Sequence, residues 1–209
     1  DYDQLTVGGT TTLAGTSTVS LINAFIPGSI SSYVLIDGVS QSGSFGTTTL
    51  DTGFAFPRYT NNDFTVEAIP AGITYFDNDN GTNQWHETAN WSGDVLPASG
   101  SNVYINYVGA VTLGQNAQTV GTLQSLENLT LTGGSLLVES SLDQQADLTN
   151  QSTLTLQGSS NSITGTFSNS GTLTLQTPGA SNAVLTLPAA STLGGTIVLD
   201  NTNGGQAQL

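Results

Sequence analysis

Cysteine and methionine are absent from the 209 residues, and Arg58 is the single basic residue. Without cysteine there is no disulfide framework and no thiolate metal site. Against that one cation stand 15 carboxylates and one histidine, His86, giving a formal net charge of −14. Nucleic-acid binding needs cations to neutralise phosphates, so that class is excluded. An anionic membrane surface would repel the chain for the same reason, and acidic polysaccharide is disfavoured. Charged residues make up only 8% of the chain, against a typical quarter or so, so charge-driven disorder is excluded as well. Runs of about 18 apolar residues are missing, and membrane insertion by a helix is not expected. Long helical patterning is missing too: Gly, Thr and Ser interrupt nearly every window. The chain starts at Asp1 with no positively charged leader region. That start reads as a removed leader or an excision from something longer.

What is present is strand signal. Leu129-Thr130-Leu131, Leu154-Thr155-Leu156, Leu173-Thr174-Leu175 and Leu185-Thr186-Leu187 alternate apolar with threonine, and Gly, Asn or Ser turns bound each run. The runs recur. LTNQSTLTLQ (148–157) matches FSNSGTLTLQ (167–176) at an offset of 19, placing Asn150 on Asn169 and Leu154 on Leu173. GTLTL (171–175) matches GTIVL (195–199) at an offset of 24, and Leu131 precedes Leu156 by 25. Periods of this length indicate a solenoid, with leucines stacked inward and threonines laddered outward. A β-sandwich would share the alternation but has no need of the recurring sequence. The fold class expected is therefore all-β, a parallel β-helix or solenoid, with room for a non-helical β module around residues 30–100. Three regions follow: an N-terminal β module (1–70), a tryptophan-containing connector or cap (71–100) and a repetitive solenoid (101–209).

Two stretches carry a family resemblance. DQLTVGGTTTLAGTSTVSLINAFIPGS (3–29) and YVLIDGVSQSGSFGT (33–47) resemble the C-terminal β-helix repeat of bacterial autotransporter-type and large surface adhesin proteins. Phe25-Ile26-Pro27-Gly28 and Ser42-Gly43-Ser44-Phe45 fill the places of its turn and its closing motif. WHETANWSGDVLPASGSNVYINYVGAVTL (85–113) is similar to the opening of another β-helix stretch in such proteins. The resemblance implies a right-handed parallel β-helix, an adhesive or scaffolding role at the cell surface, and no catalytic residues. A membrane-inserting barrel does not follow, so autotransport itself is not implied.

Four constellations are candidates for chemistry. Asp77-Asn78-Asp79-Asn80-Gly81, with Glu87 beyond, has the carboxylate spacing of a loose calcium site. It is not an EF-hand loop, because Phe76 stands where an aspartate must open one. Asp77, Asp79 and Glu87 are its expected ligands, and calcium is the one cofactor to weigh. Trp85 and Trp91 could stack on sugar rings, or could cover the open end of a core, which is the preferred reading. The T-x-T pairs Thr130/Thr132, Thr153/Thr155 and Thr172/Thr174 would bind ice if they lay in one flat array; exposed strand threonines account for them without that role. Asn150 and Asn169 are expected to bond between rungs, and Leu154 and Leu173 to stack. A nucleophilic triad would have to use His86, and no GxSxG elbow exists.

Neither end reads as a cap. The chain closes in mid-repeat with GGTIVLDNTNGGQAQL (194–209) and opens already strand-like. Uncapped ends suggest excision from a longer array or head-to-tail stacking of copies. The expected function is a structural, non-catalytic, extracellular segment of a bacterial adhesin or filament. The alternative is a carbohydrate- or calcium-binding surface module built on residues 76–97, which would engage a glycan or a neighbouring cell surface.

Overall fold

The computed structural model describes residues 3–20, 26–51 and 53–209. Phe25, which opens the Phe25-Ile26-Pro27-Gly28 turn, lies outside them. The protein is all-β, 54% strand and 3% helical, and its stacked parallel coils form a β-solenoid of about five turns. Among the described residues the only helices are two 3-10 turns, Thr88–Asn90 and Ser92–Asp94. None is long and apolar enough to cross a membrane. The chain folds as two compact units, 1–71 and 72–209.

The first unit contains β1 (Leu5–Leu13), β2 (Thr16–Val19), β3 (Ser31–Gly43), β4 (Thr47–Leu50), β5 (Phe54–Tyr59) and β6 (Asp63–Ala68). β1 pairs in parallel with β3, and β2 in parallel with β4, so these strands stack as two coils. β6 and then β5 add to β3 in antiparallel fashion, giving the order β1-β3-β6-β5. Phe64, Val66 and Leu13 form the buried centre, ringed by Phe45, Phe54 and Tyr59. Phe45 meets Phe64 edge-on at 5.3 Å between centroids, an arrangement suited to the ring quadrupoles.

The second unit holds β7 (Ile73–Tyr75), β8 (Asn102–Ile105), β9 (Val111–Leu113), β10 (Ala117–Ser125), β11 (Leu129–Leu131), β12 (Ser135–Gln144) and β13 (Leu148–Asn150). It continues with β14 (Thr153–Leu156), β15 (Asn161–Ile163), β16 (Phe167–Asn169), β17 (Thr172–Gln176), β18 (Ala183–Thr186), β19 (Thr192–Leu193), β20 (Thr196–Asp200) and β21 (Ala207–Gln208). Each coil contributes one segment to each of three parallel ladders. β10 and β12 bend across a corner and serve two ladders, with a register shift between Val120 and Thr122. Residues 72–100 fall within this unit.

Period-2 alternation decides what faces inward. Gln118, Leu136, Leu154, Leu173 and Ile197 are successive partners in one column. Val120, Val138, Leu156, Leu175 and Leu199 form the next. Leu154 and Leu173 are fully buried. Val111, Leu129, Leu148 and Phe167 fill a third column. The recurring glycine has a spatial cause: a Cβ on Gly195, at φ +66°, would run into the backbone of Ser170 and Gly171 in the turn beneath. Coil length varies: Ser135 to Thr153 spans 18 residues, Thr153 to Thr172 spans 19 and Thr172 to Thr196 spans 24. Gln157 and Gln176 bond at a separation of 19 residues, Gln176 and Asp200 at 24.

One expected alignment fails. Leu131 does not stack on Leu156: it partners Asn150, whereas Leu156 partners Val138 and Leu175 on a different ladder. The 25-residue offset crosses a corner, so it joins similar residues on different sides. The threonine pairs are split for the same reason. Thr153/Thr155 and Thr172/Thr174 are in register, but Thr130 belongs with Thr112 and Thr149 on another ladder. The three pairs therefore do not make one ice-matching array.

Leu173→Ala should destabilise the second unit by about 2–5 kcal/mol, since it opens a cavity in a closed column. Thr174→Ala, facing outward, should change stability by less than about 1 kcal/mol. Urea unfolding of the two variants checks the contrast.

Candidate functional site

Residues 76–97 form the densest polar and aromatic structure in the chain, and they lie over the first coil. Phe76 bridges to Trp91 in antiparallel pairing, and Gln84 bridges to Thr112 in parallel. The Trp85 amide donates to the Thr112 carbonyl at 2.9 Å, and the Thr112 amide donates to the Asn83 carbonyl at 2.9 Å. These bonds occupy the edge of β9 that no coil covers. Trp85 and Trp91 are 0% and 1% exposed, with centroids 4.7 Å apart. The Trp91 indole N–H donates to the Trp85 carbonyl at 2.6 Å. Phe76 completes the cluster edge-on to Trp91 at 5.1 Å.

A polar loop holds this plug in place. Asn90 is fully buried. Its amide nitrogen donates to Thr82 Oγ1 and to the Gln84 carbonyl, both at 2.9 Å. Its side-chain oxygen accepts the Asn80 amide at 3.2 Å. Asn78 and Asn83 exchange two further bonds of 2.7 and 2.9 Å. Both sit at positive φ, 57° and 59°, a conformation that asparagine tolerates better than most residues. Away from the plug, the Glu139 carboxylate accepts Ser99 Oγ at 2.8 Å and the Gly100 amide at 2.9 Å, tying the end of this region to β12.

The tryptophans therefore cannot form a sugar-stacking platform. Both are buried against the apolar end of the solenoid, so neither offers a ring face. The proposed calcium ligands are likewise not gathered. Among the described residues no group of three or more His, Cys, Asp or Glu side chains is placed to hold a metal ion. Glu87 instead accepts from Asn80 Nδ2 and, at 2.6 Å, from Thr82 Oγ1. These two bonds hold its carboxyl below the usual range. Asp77 behaves oppositely. Burial, then the charges of Asp79 and Asp94, push it up from 3.8 to about 6.

Asn150 and Asn169 lie inside, 0% and 1% exposed, on the column that otherwise carries Leu113, Leu131 and Leu193. Asn150 Nδ2 donates to Asn169 Oδ1 at 2.7 Å and to the Thr172 carbonyl at 3.0 Å. Asn169 Nδ2 donates to the Gly194 carbonyl at 2.6 Å. The ladder ties neighbouring coils together through side-chain and main-chain acceptors, a structural task. Asn161 does the same work at another corner, bonding Gln157, Gly158 and Val184 carbonyls at 3.0, 3.0 and 2.9 Å. Sequence reasoning missed it, because it occurs once and no matching asparagine sits in the neighbouring repeats.

No family model matches the chain, and neither a curated protein nor a solved structure shows significant similarity to it.

Trp91→Ala should destabilise the second unit by about 3–5 kcal/mol through the lost plug, read from denaturant unfolding. Asp77 gives a pH signature. Its folded-state pKa lies above the ordinary value, so its charged form is disfavoured in the fold. Stability therefore rises as pH falls from about 7 through about 6 toward 4. Asp77→Asn should raise the melting temperature at neutral pH and flatten that rise, as thermal melts across pH will report.

Proposed function

We propose that this chain is a structural, non-catalytic segment of an extracellular bacterial surface adhesin or filament, in which solenoid segments stack head to tail. The observation that carries the reading is the uninterrupted parallel ladder of the second unit. Each coil is bonded to the next by main-chain hydrogen bonds along three ladders, and inside them stand apolar columns such as Leu136, Leu154 and Leu173. Load applied along the stacking axis is shared by rows of such bonds, which suits a mechanical part. Outward positions are filled largely by Thr, Ser and Gln bonded from coil to coil, as in Gln157 to Gln176 at 2.6 Å. The resemblance of residues 3–47 and 85–113 to adhesin β-helix repeats supports the same reading. So does the negative charge of −14, which keeps a surface protein soluble and away from like-charged membranes.

Negative-stain electron microscopy of the native material should show fibres, and immunolabelling of intact producing cells should decorate their surface. Discrete particles of single-chain size at every concentration, with label confined to the cell interior, would overturn this reading.

A further inference from the structure

The loop that holds the tryptophan plug is latched by a bond between two side chains. Asn80 and Gly81 form its tip, and both are exposed. Asn80 Nδ2 donates to Glu87 Oε2, and the same oxygen accepts Thr82 Oγ1 at 2.6 Å. The Asn80 main-chain amide donates to the side-chain oxygen of the buried Asn90 at 3.2 Å, and the Glu87 carbonyl accepts the Asn90 amide at 3.1 Å. Both sides of the latch therefore connect to Asn90, which precedes Trp91 and bonds the Gln84 carbonyl just before Trp85.

Asn80 is also the asparagine of this loop that glycine follows; Asn78, Asn83 and Asn90 precede Asp79, Gln84 and Trp91. An asparagine before glycine loses its side-chain amide readily, because no side chain on the next residue obstructs attack by that residue's main-chain nitrogen. Gly81 sits at φ +71°, and a Cβ built on it would meet nothing within 4 Å, so water reaches this tip freely. Two bonds oppose the reaction while the loop is closed. The Gly81 amide, the attacking group, donates to the Asn78 carbonyl at 2.8 Å. Glu87 holds the Asn80 side chain from the other side. Both bonds have to break before the Gly81 nitrogen is free to turn onto the Asn80 side chain.

We propose that Asn80–Gly81 is a deamidation site guarded by Glu87, and that conversion there makes an opening of the plug loop permanent. In the opened loop the Gly81 nitrogen bonds to the Asn80 side-chain carbonyl carbon. The side-chain nitrogen leaves as ammonia, taking up the Gly81 proton, and water opens the resulting succinimide to aspartate or isoaspartate. Water is the only co-reactant. The product sets a carboxylate where an amide donor stood. Glu87 is ionised at neutral pH, its carboxyl held below the usual range by Thr82 and then Asn80. Two like charges then face each other in place of a donor and an acceptor, with Asp79 next in the chain. The converted loop has no bond with which to close on Glu87, and isoaspartate also reroutes the main chain through the former side chain. The other asparagine–glycine pair, Asn203–Gly204, lacks this consequence: Asn203 Nδ2 donates to the Thr177 carbonyl at 2.8 Å, so its partner is neutral.

The full chain is incubated at mildly alkaline pH, digested, and mapped by mass spectrometry for acid at positions 80 and 203. Glu87→Ala should convert Asn80 several-fold faster than the unchanged protein does, while Asn203 converts at the same rate in both. The two tryptophans of the chain both lie in the plug, so their emission reports this segment alone. At neutral pH, Asn80→Asp should shift that emission to the red and make it more accessible to acrylamide quenching. Combining Asn80→Asp with Glu87→Gln restores a donor facing an acceptor, and should return both readings to those of the unchanged protein. The guard role is overturned if Glu87→Ala leaves the rate at Asn80 unchanged, or raises the rate at Asn203 equally. The permanent opening is overturned if Asn80→Asp leaves the tryptophans as shielded as before, or if Glu87→Gln fails to restore them.

Discussion

Register between neighbouring coils is the constraint on which the second unit depends. In a parallel ladder a slip of one residue would turn every inward side chain outward. Leu136, Leu154 and Leu173 can form a column only because Ser135, Thr153 and Thr172 are held opposite one another. The same register places Asn150 over Asn169, so that Asn150 bonds both the Asn169 side chain and the Thr172 carbonyl. Glycine enters for the same reason: turns stack at strand spacing, which leaves no room for a Cβ at Gly171 or Gly195. Leucine column, asparagine ladder and glycine turn are three consequences of one spacing.

A repeating ladder has no natural end, so each edge must be met by something. The N-terminal edge of the solenoid is met by Phe76, Trp85 and Trp91, large enough to cover a core that several leucines would otherwise share. Holding those rings down requires the Asn78, Asn83 and Asn90 network, because a long irregular segment must satisfy its backbone without a ladder. The outer edge of β5 is met by proline, arginine and a bulge.

Much of this was legible because repetition is legible. Leu154 on Leu173, Asn150 on Asn169 and the Gly171/Gly195 pair could be aligned by identity, since successive coils carry the same residues at nearly constant spacing. Legibility failed at corners. Leu131 and Leu156 look alike in sequence but belong to different ladders, and period-2 alternation holds no record of which side of the coil a run occupies. The T-x-T pairs divide between ladders for the same reason. In residues 76–97 there is no repeat to align, and Trp85 and Trp91 fit a plug, the preferred reading, or a sugar platform until burial is known. Nor could spacing reveal that Glu87 bonds Asn80 and Thr82 instead of joining Asp77 and Asp79.

What the amino-acid order determined alone was the class and the rhythm: an all-β chain with inward leucine, outward threonine and a repeat of about 19–25 residues, because alternation and repeat length are local properties of the chain. Tertiary structure decided which runs share a ladder, which rings are covered and which side chains bond between coils. Those outcomes depend on contacts between residues far apart in sequence, which local alternation does not record.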